Sequence, residues 1–441
     1  MVISATTNGT HGGGGIETNG IDHYASPEGS PFTIENIPYG IISTNENAKP
    51  RAATAFEEFA VDLDVLQNQG LFKDISGLLL GTFAADNLNA FAALPRSVRI
   101  QVRQRLIELL SRHDYVNFLE AALTPLKNIT NHYPMKTTNF SDFYCSLEHT
   151  RNCTEIFGVK SINPNWFIAP SVYNGRTSSL VISGTPITRP YGVIQPPSAS
   201  AYFGPTHALD FELEMGVFLS KPVARGLRVN INDAADHIFG FVMLNDWSSR
   251  DIQVFEMPPL GPFHSKGSGT SISPWIVTLE ALEVVMGPRE SVQEPRPLPH
   301  LDWNDDERAT FDIEVSVKII RNGKSFIIGQ SNLNDLHWTP FQQLTHLASA
   351  GEGLATGDIF GTGTISNDRV NENGEKAGLG CIYERKLARN NLSPLTDLAQ
   401  TFLNDGDEVV MEGWCKSNTS GKFFGFGQCR GVVLPPLEMD S

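Results

Sequence analysis

The 441-residue sequence holds only five cysteines, at positions 145, 153, 381, 415 and 429, with no C-x-x-C pair among them. An odd, scattered set supplies neither a disulfide framework nor a zinc knuckle, and reduced thiols in a cytoplasmic protein fit it best. Basic residues are also scarce, since 33 Lys and Arg face 49 Asp and Glu, a formal charge of -16. Such a balance repels phosphate backbones and anionic lipid, which excludes nucleic acid and membrane as main partners. Long apolar runs are missing too. No stretch approaches the roughly 18 uninterrupted apolar residues of a membrane span, and the start lacks the basic segment and apolar core of a secretion signal. There is no P-loop, no G-x-S-x-G elbow and no internal repeat.

What is present suits a packed globular protein: 40% of the residues are hydrophobic, enough for two or three compact domains. Residues 1–30, with the run His11-Gly12-Gly13-Gly14-Gly15 and many Asn, Ser and Thr, hold too little apolar surface to fold and are expected to form a disordered tail. Between Ser97 and His113 apolar residues recur at Val98, Val102, Leu106, Leu109 and Leu110, with Arg99, Arg103 and Arg105 between them. That spacing, near the ~3.6-residue helical period, predicts a surface helix in a small first domain, residues 31–132. After Tyr133-Pro134 the composition turns to short alternating strands and Gly/Pro clusters, so residues 133–441 are expected to form a mainly β domain, giving an α+β chain.

Two strands alternate acid with apolar residues. In Phe211-Glu212-Leu213-Glu214-Met215 both carboxylates share one face, and Phe311-Asp312-Ile313-Glu314-Val315 has the same pattern. The second continues through Ser316 and Lys318 into Asn322-Gly323, a hairpin turn, so its polar face is expected to be merely wet. Like charges one repeat apart are tolerated if they face water or share a cation, and hard oxygen ligands select Ca2+ or Mg2+. Asp142, in Asn139-Phe140-Ser141-Asp142-Phe143-Tyr144, and Asp246, in Leu244-Asn245-Asp246-Trp247, are candidates to complete such a shell, although spacing alone does not bring them together.

A resemblance does. NFSDFYCSLEHTRN from Asn139 to Asn152, and ALDFELEMGVFL, FGFVMLNDWSSRDIQ, PLGPFHSKGSGTSISPW, FLNDGDEVV and GFGQC after it, resemble the fumarylacetoacetase family in one order, as do Ile37-Pro38-Tyr39-Gly40 and Lys49-Pro50-Arg51 before it. The likeness implies a small N-terminal SH3-like barrel followed by a large mixed β-roll, a homodimer, and metal-dependent hydrolysis of a carbon–carbon bond in a small β-diketo acid. By the same likeness Asp142, Glu212, Glu214 and Asp246 fall on metal ligands for Mg2+ or Ca2+, with Lys266 and Thr270 beside the ion. His149 falls on the catalytic base and Glu384 on the carboxylate that orients it, while Arg250, Gln253 and Lys266 fall on oxyanion donors. Read without the likeness, Arg250 and Lys266 suit surface salt bridges and Gln253 a solvated amide.

The departures cluster around the substrate. Tyr144, Tyr173, Gln253 and Thr364 keep the family's substrate positions, but Met257 replaces a tyrosine, Asn174 a histidine, and Gly158 an arginine that grips the substrate. Lys160 is close enough in sequence to supply a point charge, without the bidentate fork of a guanidinium. The expected substrate is therefore fumarylacetoacetate or a related acylpyruvate. The alternative is a paralogue that turns the same metal-enolate chemistry to decarboxylation, tautomerisation or condensation.

Overall fold

Among the residues described by the computed structural model, 27–370, 376–387 and 401–438, three larger β-sheets organise the fold. Residues 1–26 of the expected tail lie outside that description. The first sheet is antiparallel, with Leu123–Pro125, Phe59–Asp62, Arg51–Phe56, Tyr39–Thr44 and Ile129–His132 side by side. Two of its inner strands, Tyr39–Thr44 and Arg51–Phe56, are buried on both faces, so their sequences, YGIIST and RAATAF, show no clean alternation.

The periodic segment forms a helix over Arg96–Leu110, with Val98, Val102, Leu106, Leu109 and Leu110 buried as their spacing requires. Arg99 departs from a surface helix. It is buried with them, donating from Nη1 to the carbonyls of Ala92 at 3.0 Å and Leu94 at 2.9 Å, and from Nη2 to Glu280 Oε1 at 3.1 Å. A charge-assisted contact thus fixes the helix to a residue far along the chain. The same apolar cluster runs from Ile41, Phe91 and Val102 to Phe218, Phe239 and Ile276, so the first sheet is packed on the second.

Across the second sheet run Val172–Asn174, Phe140–Phe143, Ile359–Gly361, Leu213–Leu219, Ile238–Asp246, Thr270–Ile272 and Leu180–Ile182. Its register places the site. Asp142 pairs with Gly361, Gly361 with Gly216, Glu214 with Leu244 and Asp246 with Thr270, so residues more than a hundred positions apart meet at one end of this sheet. In the third sheet Lys324–Asn332, Glu314–Arg321, Glu408–Lys416 and Phe423–Leu434 are antiparallel neighbours, with Ile187–Thr188 parallel at the edge. The Asn322-Gly323 turn has φ of 52° and 75°, as a tight hairpin demands, and Glu314, Ser316 and Lys318 are half-exposed while Val315, Val317 and Ile319 are buried. The architecture is mixed and mainly β.

Candidate active site

The acid-rich strand differs from the regular one its alternation suggests. A short strand at Leu209–Asp210 pairs with Ser248–Ser249, and the regular strand starts only at Leu213. At the break Asn245 Oδ1 accepts from the Glu212 N–H at 3.1 Å, and the side chains of Asp210, Glu212 and Glu214 are all buried. Asp142, Glu212, Glu214 and Asp246 are exposed by 2%, 5%, 0% and 0%, and ligand atoms of Asp142, Glu212 and Asp246 lie within 4.8 Å of one another.

Tyr173 Oη donates to Asp246 Oδ2 at 2.8 Å and Asp142 Oδ2 at 3.2 Å, and Thr270 Oγ1 to Asp246 Oδ1 at 2.9 Å. Lys266 Nζ sits 2.7 Å from Asp246 Oδ2 and also donates to Glu212. The N–H of Gly363 donates to Glu214 Oε2 at 3.1 Å. Among the described residues Asp142 Oδ1 and Glu214 Oε1 meet no N–H or O–H donor although both are buried. Gly361 makes their approach feasible, because a Cβ there would stand 2.4 Å from Asp142 Oδ1 and 2.8 Å from Glu214 Oε2.

Burial, followed by the charge of Asp246, pushes the Asp142 carboxyl well up, and burial with Asp142 and Glu212 does the same to Glu214. Burial also pulls Glu212 upward, but Lys266 and Arg250 outweigh it and hold that carboxyl below the usual range. Burial and mutual repulsion thus act against ionisation at Asp142 and Glu214. An all-oxygen donor set with two orphaned buried oxygens fits a hard divalent cation.

His149 rides on the helix Leu147–Ile156, where Ser146 caps the first turn and accepts from the His149 N–H at 3.2 Å. Its Nδ1 is 3.1 Å from Glu384 Oε2, and the two side chains are 3% and 0% exposed. Glu384 also accepts from Asn152 Nδ2 and Ser366 Oγ, each at 2.8 Å, and from Cys381 Sγ at 3.3 Å. Burial lowers the His149 imidazole, but Cys153 and Glu384 more than reverse that, and the net shift is upward. For Glu384 burial is overcome by His149, which holds the carboxyl below its usual value.

Arg250 and Lys266 are buried rather than surface ion pairs, and Gln253 is buried beside them rather than solvated. Arg250 donates from Nε to Asp210 Oδ2 at 2.9 Å and from Nη1 to Glu212 Oε1 at 2.7 Å and Gln253 Oε1 at 3.0 Å. Its Nη2 is buried with no acceptor among the described residues. Asp210, which the motif reading passed over, also accepts the N–H groups of Ile382 and Tyr383, both at 2.9 Å, and so ties Arg250 to the turn that carries Glu384. The signal was in the sequence, because Asp210, Glu212 and Glu214 continue one alternation.

A cavity of about 600 Å³ joins these groups. Asp142, Glu212, Lys266, His149, Arg250 and Gln253 line it, with Tyr144, Tyr173, Met257 and Thr364; Glu214, Asp246, Thr270 and Glu384 are not among its lining residues. Gly158 and Lys160 fall elsewhere, in an adjoining open groove with Arg151 and Lys376. Gly158 has φ of 68° and its N–H donates to the Glu155 carbonyl at 3.0 Å, so it closes the His149 helix in the left-handed conformation that glycine adopts without strain. Asn174 Oδ1 accepts from Ser141 Oγ at 3.3 Å at the sheet edge.

The chain matches two family models, fumarylacetoacetase N-terminal over residues 35–134 and fumarylacetoacetate (FAA) hydrolase C-terminal over residues 138–434. A fumarylacetoacetase of Arabidopsis thaliana is 40% identical over 421 residues, covering 92% of this chain and 96% of that protein. One of Bos taurus is 39% identical over 424 residues, covering 93% and 98%. Among solved structures, a putative HpcE protein from Mycobacterium smegmatis shares the fold, with a TM-score of 0.51 at 16% identity, covering 90% of this chain and 99% of that one.

Proposed function

The chain belongs to the fumarylacetoacetate hydrolase family, and on that premise we propose that it cleaves 4-fumarylacetoacetate with water to acetoacetate and fumarate, the closing reaction of tyrosine and phenylalanine breakdown. The observation that carries the reading is the buried His149–Glu384 pair, 3.1 Å apart, at the same cavity as the buried carboxylate cluster.

Asp142, Glu212, Glu214 and Asp246 would hold Mg2+ or Ca2+, with Lys266 and Thr270 beside it; such an ion supplies Lewis-acid polarisation of the enolisable ketone. Glu384 at Nδ1 fixes the imidazole tautomer, so that Nε2 of His149 takes a proton from the attacking water. The hydroxide oxygen adds to the carbonyl, and the negative charge that develops there is met by Arg250, whose buried Nη2 has no acceptor among the described residues, by the Gln253 amide and by Lys266. As the carbon–carbon bond breaks, the proton on His149 passes to the departing carbon. Tyr144, Tyr173, Gln253, Met257 and Thr364 set the substrate's position in the cavity.

The antiparallel five-stranded sheet supports an SH3-like first domain over 31–132, with a catalytic β-roll over 133–441. Exposed Val254, Phe255, Leu260 and Phe263 around one helix support a homodimer through the larger domain, and five unbridged buried cysteines a cytoplasmic location. A second reading is favoured by the apolar part of the cavity lining, which includes Phe157, Val159, Ile162, Trp166, Met257 and Leu260. Arg250 and Lys266, the cations lining the cavity among the described residues, are both paired with Glu212. A related acylpyruvate without a second carboxylate suits that lining. The test is loss of diketone absorbance on adding purified protein with Mg2+; no loss where a control fumarylacetoacetase consumes the compound refutes the first reading.

A further inference from the structure

Two thiols bracket His149, and the hydrolytic steps use neither. Cys153 Sγ lies 3.5 Å from Nε2, one helical turn along. On the Nδ1 side, Cys381 Sγ, a His149 nitrogen and a Glu384 oxygen lie within 4.8 Å of one another. Two edges of that triangle are known individually: His149 Nδ1 to Glu384 Oε2 is 3.1 Å and Cys381 Sγ to Glu384 Oε2 is 3.3 Å. In a tetrahedral zinc site, with bonds of about 2.0–2.3 Å, ligand atoms are separated by roughly 3.3–3.6 Å. The three groups therefore already stand close to ligand spacing, and they are buried together.

The donor chemistry differs from that of the neighbouring cluster. Asp142, Glu212, Glu214 and Asp246 offer only oxygen, which suits hard ions, whereas sulfur, imidazole nitrogen and carboxylate suit a borderline or soft one. We propose that Cys381, Glu384 and Nδ1 of His149 form a second cation site, selective for a thiophilic divalent ion of the Zn2+ and Cd2+ class, whose occupation inhibits the enzyme. The ion enters from the cavity, which His149 lines, and displaces the thiol proton of Cys381 into solvent.

Inhibition follows from the two nitrogens of one ring. A neutral imidazole has a single acceptor nitrogen, so an ion on Nδ1 forces the ring proton onto Nε2 and removes the base that faces water. It also engages the carboxylate that orients the ring. Cys153 Sγ, 3.5 Å from the opposite ring nitrogen, lies outside the His149–Cys381–Glu384 group and provides an internal control.

The inhibitory half rests on the hydrolytic reading, whereas ion binding does not. The experiment titrates Cd2+ into the full-length, Mg2+-saturated protein, following the ultraviolet thiolate-to-cadmium charge-transfer band, with initial rates on the diketo acid in parallel. One equivalent of band is expected, with at least a tenfold fall in rate at saturation. Cys381→Ser and Cys381→Ala should lose the band and need at least tenfold more Cd2+ for half-inhibition, each scaled to its own uninhibited rate. Cys153→Ser should keep the band and the parent's half-inhibiting Cd2+ concentration when scaled to its own uninhibited rate. The proposal is overturned if the parent shows no band, if a Cys381 variant with native circular dichroism keeps it, or if Cys153→Ser abolishes it. Band without inhibition overturns the inhibitory half. A band that depends on Cys381 in a protein that cleaves no diketone supports the site and refutes the hydrolytic reading.

Discussion

Replacing Glu384 by Gln isolates what the carboxylate does for His149. Gln has almost the same shape, so Oε1 can still accept from Asn152 Nδ2, and the Ser366 hydroxyl can turn to accept from the new amide. Folding should therefore change by no more than about 1–2 kcal/mol, the usual scale for rearranging a buried hydrogen bond. Catalysis should change far more. Without the carboxylate at 3.1 Å the imidazole loses both its fixed tautomer and the charge that stabilises its protonated form. Losing the orienting acid of a base pair costs roughly 10²–10⁴-fold, about 3–5 kcal/mol of barrier. The pH profile adds a sign. Glu384 is among the groups that push the His149 imidazole up, and the base must be neutral to act, so activity in the parent is lost as pH falls through a raised value. Glu384→Gln should move that acidic limb of kcat/KM to lower pH while the plateau drops. The assay is diketone absorbance across a pH series with saturating Mg2+, with circular dichroism and melting as folding controls. A folded variant that keeps more than a tenth of kcat/KM, or that leaves the acidic limb in place, refutes the pairing.

Gly361→Ala should weaken Mg2+ or Ca2+ binding by at least about tenfold, because the added methyl lies within contact distance of Asp142 Oδ1 and Glu214 Oε2, at 2.4 and 2.8 Å. Calorimetric titration checks this, and unchanged affinity would remove these two oxygens from the site. His337 should make the fold acid-sensitive: burial, with some help from Arg289, lowers its imidazole from 6.5 to about 4. Its neutral form is favoured in the native state, so the associated stability is intact above pH ~6.5 and is lost as pH falls toward 4, amounting to about 3 kcal/mol at the lower end. Chemical denaturation at pH 7 and pH 4 should show a shallower loss in His337→Gln than in the parent; equal slopes would contradict the assignment.

Features decided by local chemistry were the ones legible in the sequence. The Asn322-Gly323 hairpin needs only two residues that accept positive φ, and the helix Arg96–Leu110 only an apolar period, and both formed as expected. The two acid-bearing strands show the limit. Their alternation is the same, yet Glu212 and Glu214 are buried while Glu314 is half-exposed, because the difference lies in what covers each sheet. Convergence of Asp142, Glu214 and Asp246 depends on strand register across the second sheet, which no local pattern encodes, and only the resemblance to a family anticipated it. The role of Gly361 is not local either, since it lies in two carboxylates supplied by other strands. Gly158 stands where the resemblance implies an arginine. Its own structure assigns it to ending the His149 helix, in a groove beside the cavity.

The most direct measurement is hydrolysis of fumarylacetoacetate in oxygen-18 water with Mg2+, the products being resolved by mass spectrometry. Attack by a His149-activated water predicts acetoacetate together with fumarate that carries one solvent-derived carboxylate oxygen, and no turnover in His149→Ala. Substrate left intact, or consumed to an isomer or a decarboxylated product without that oxygen, would contradict the account.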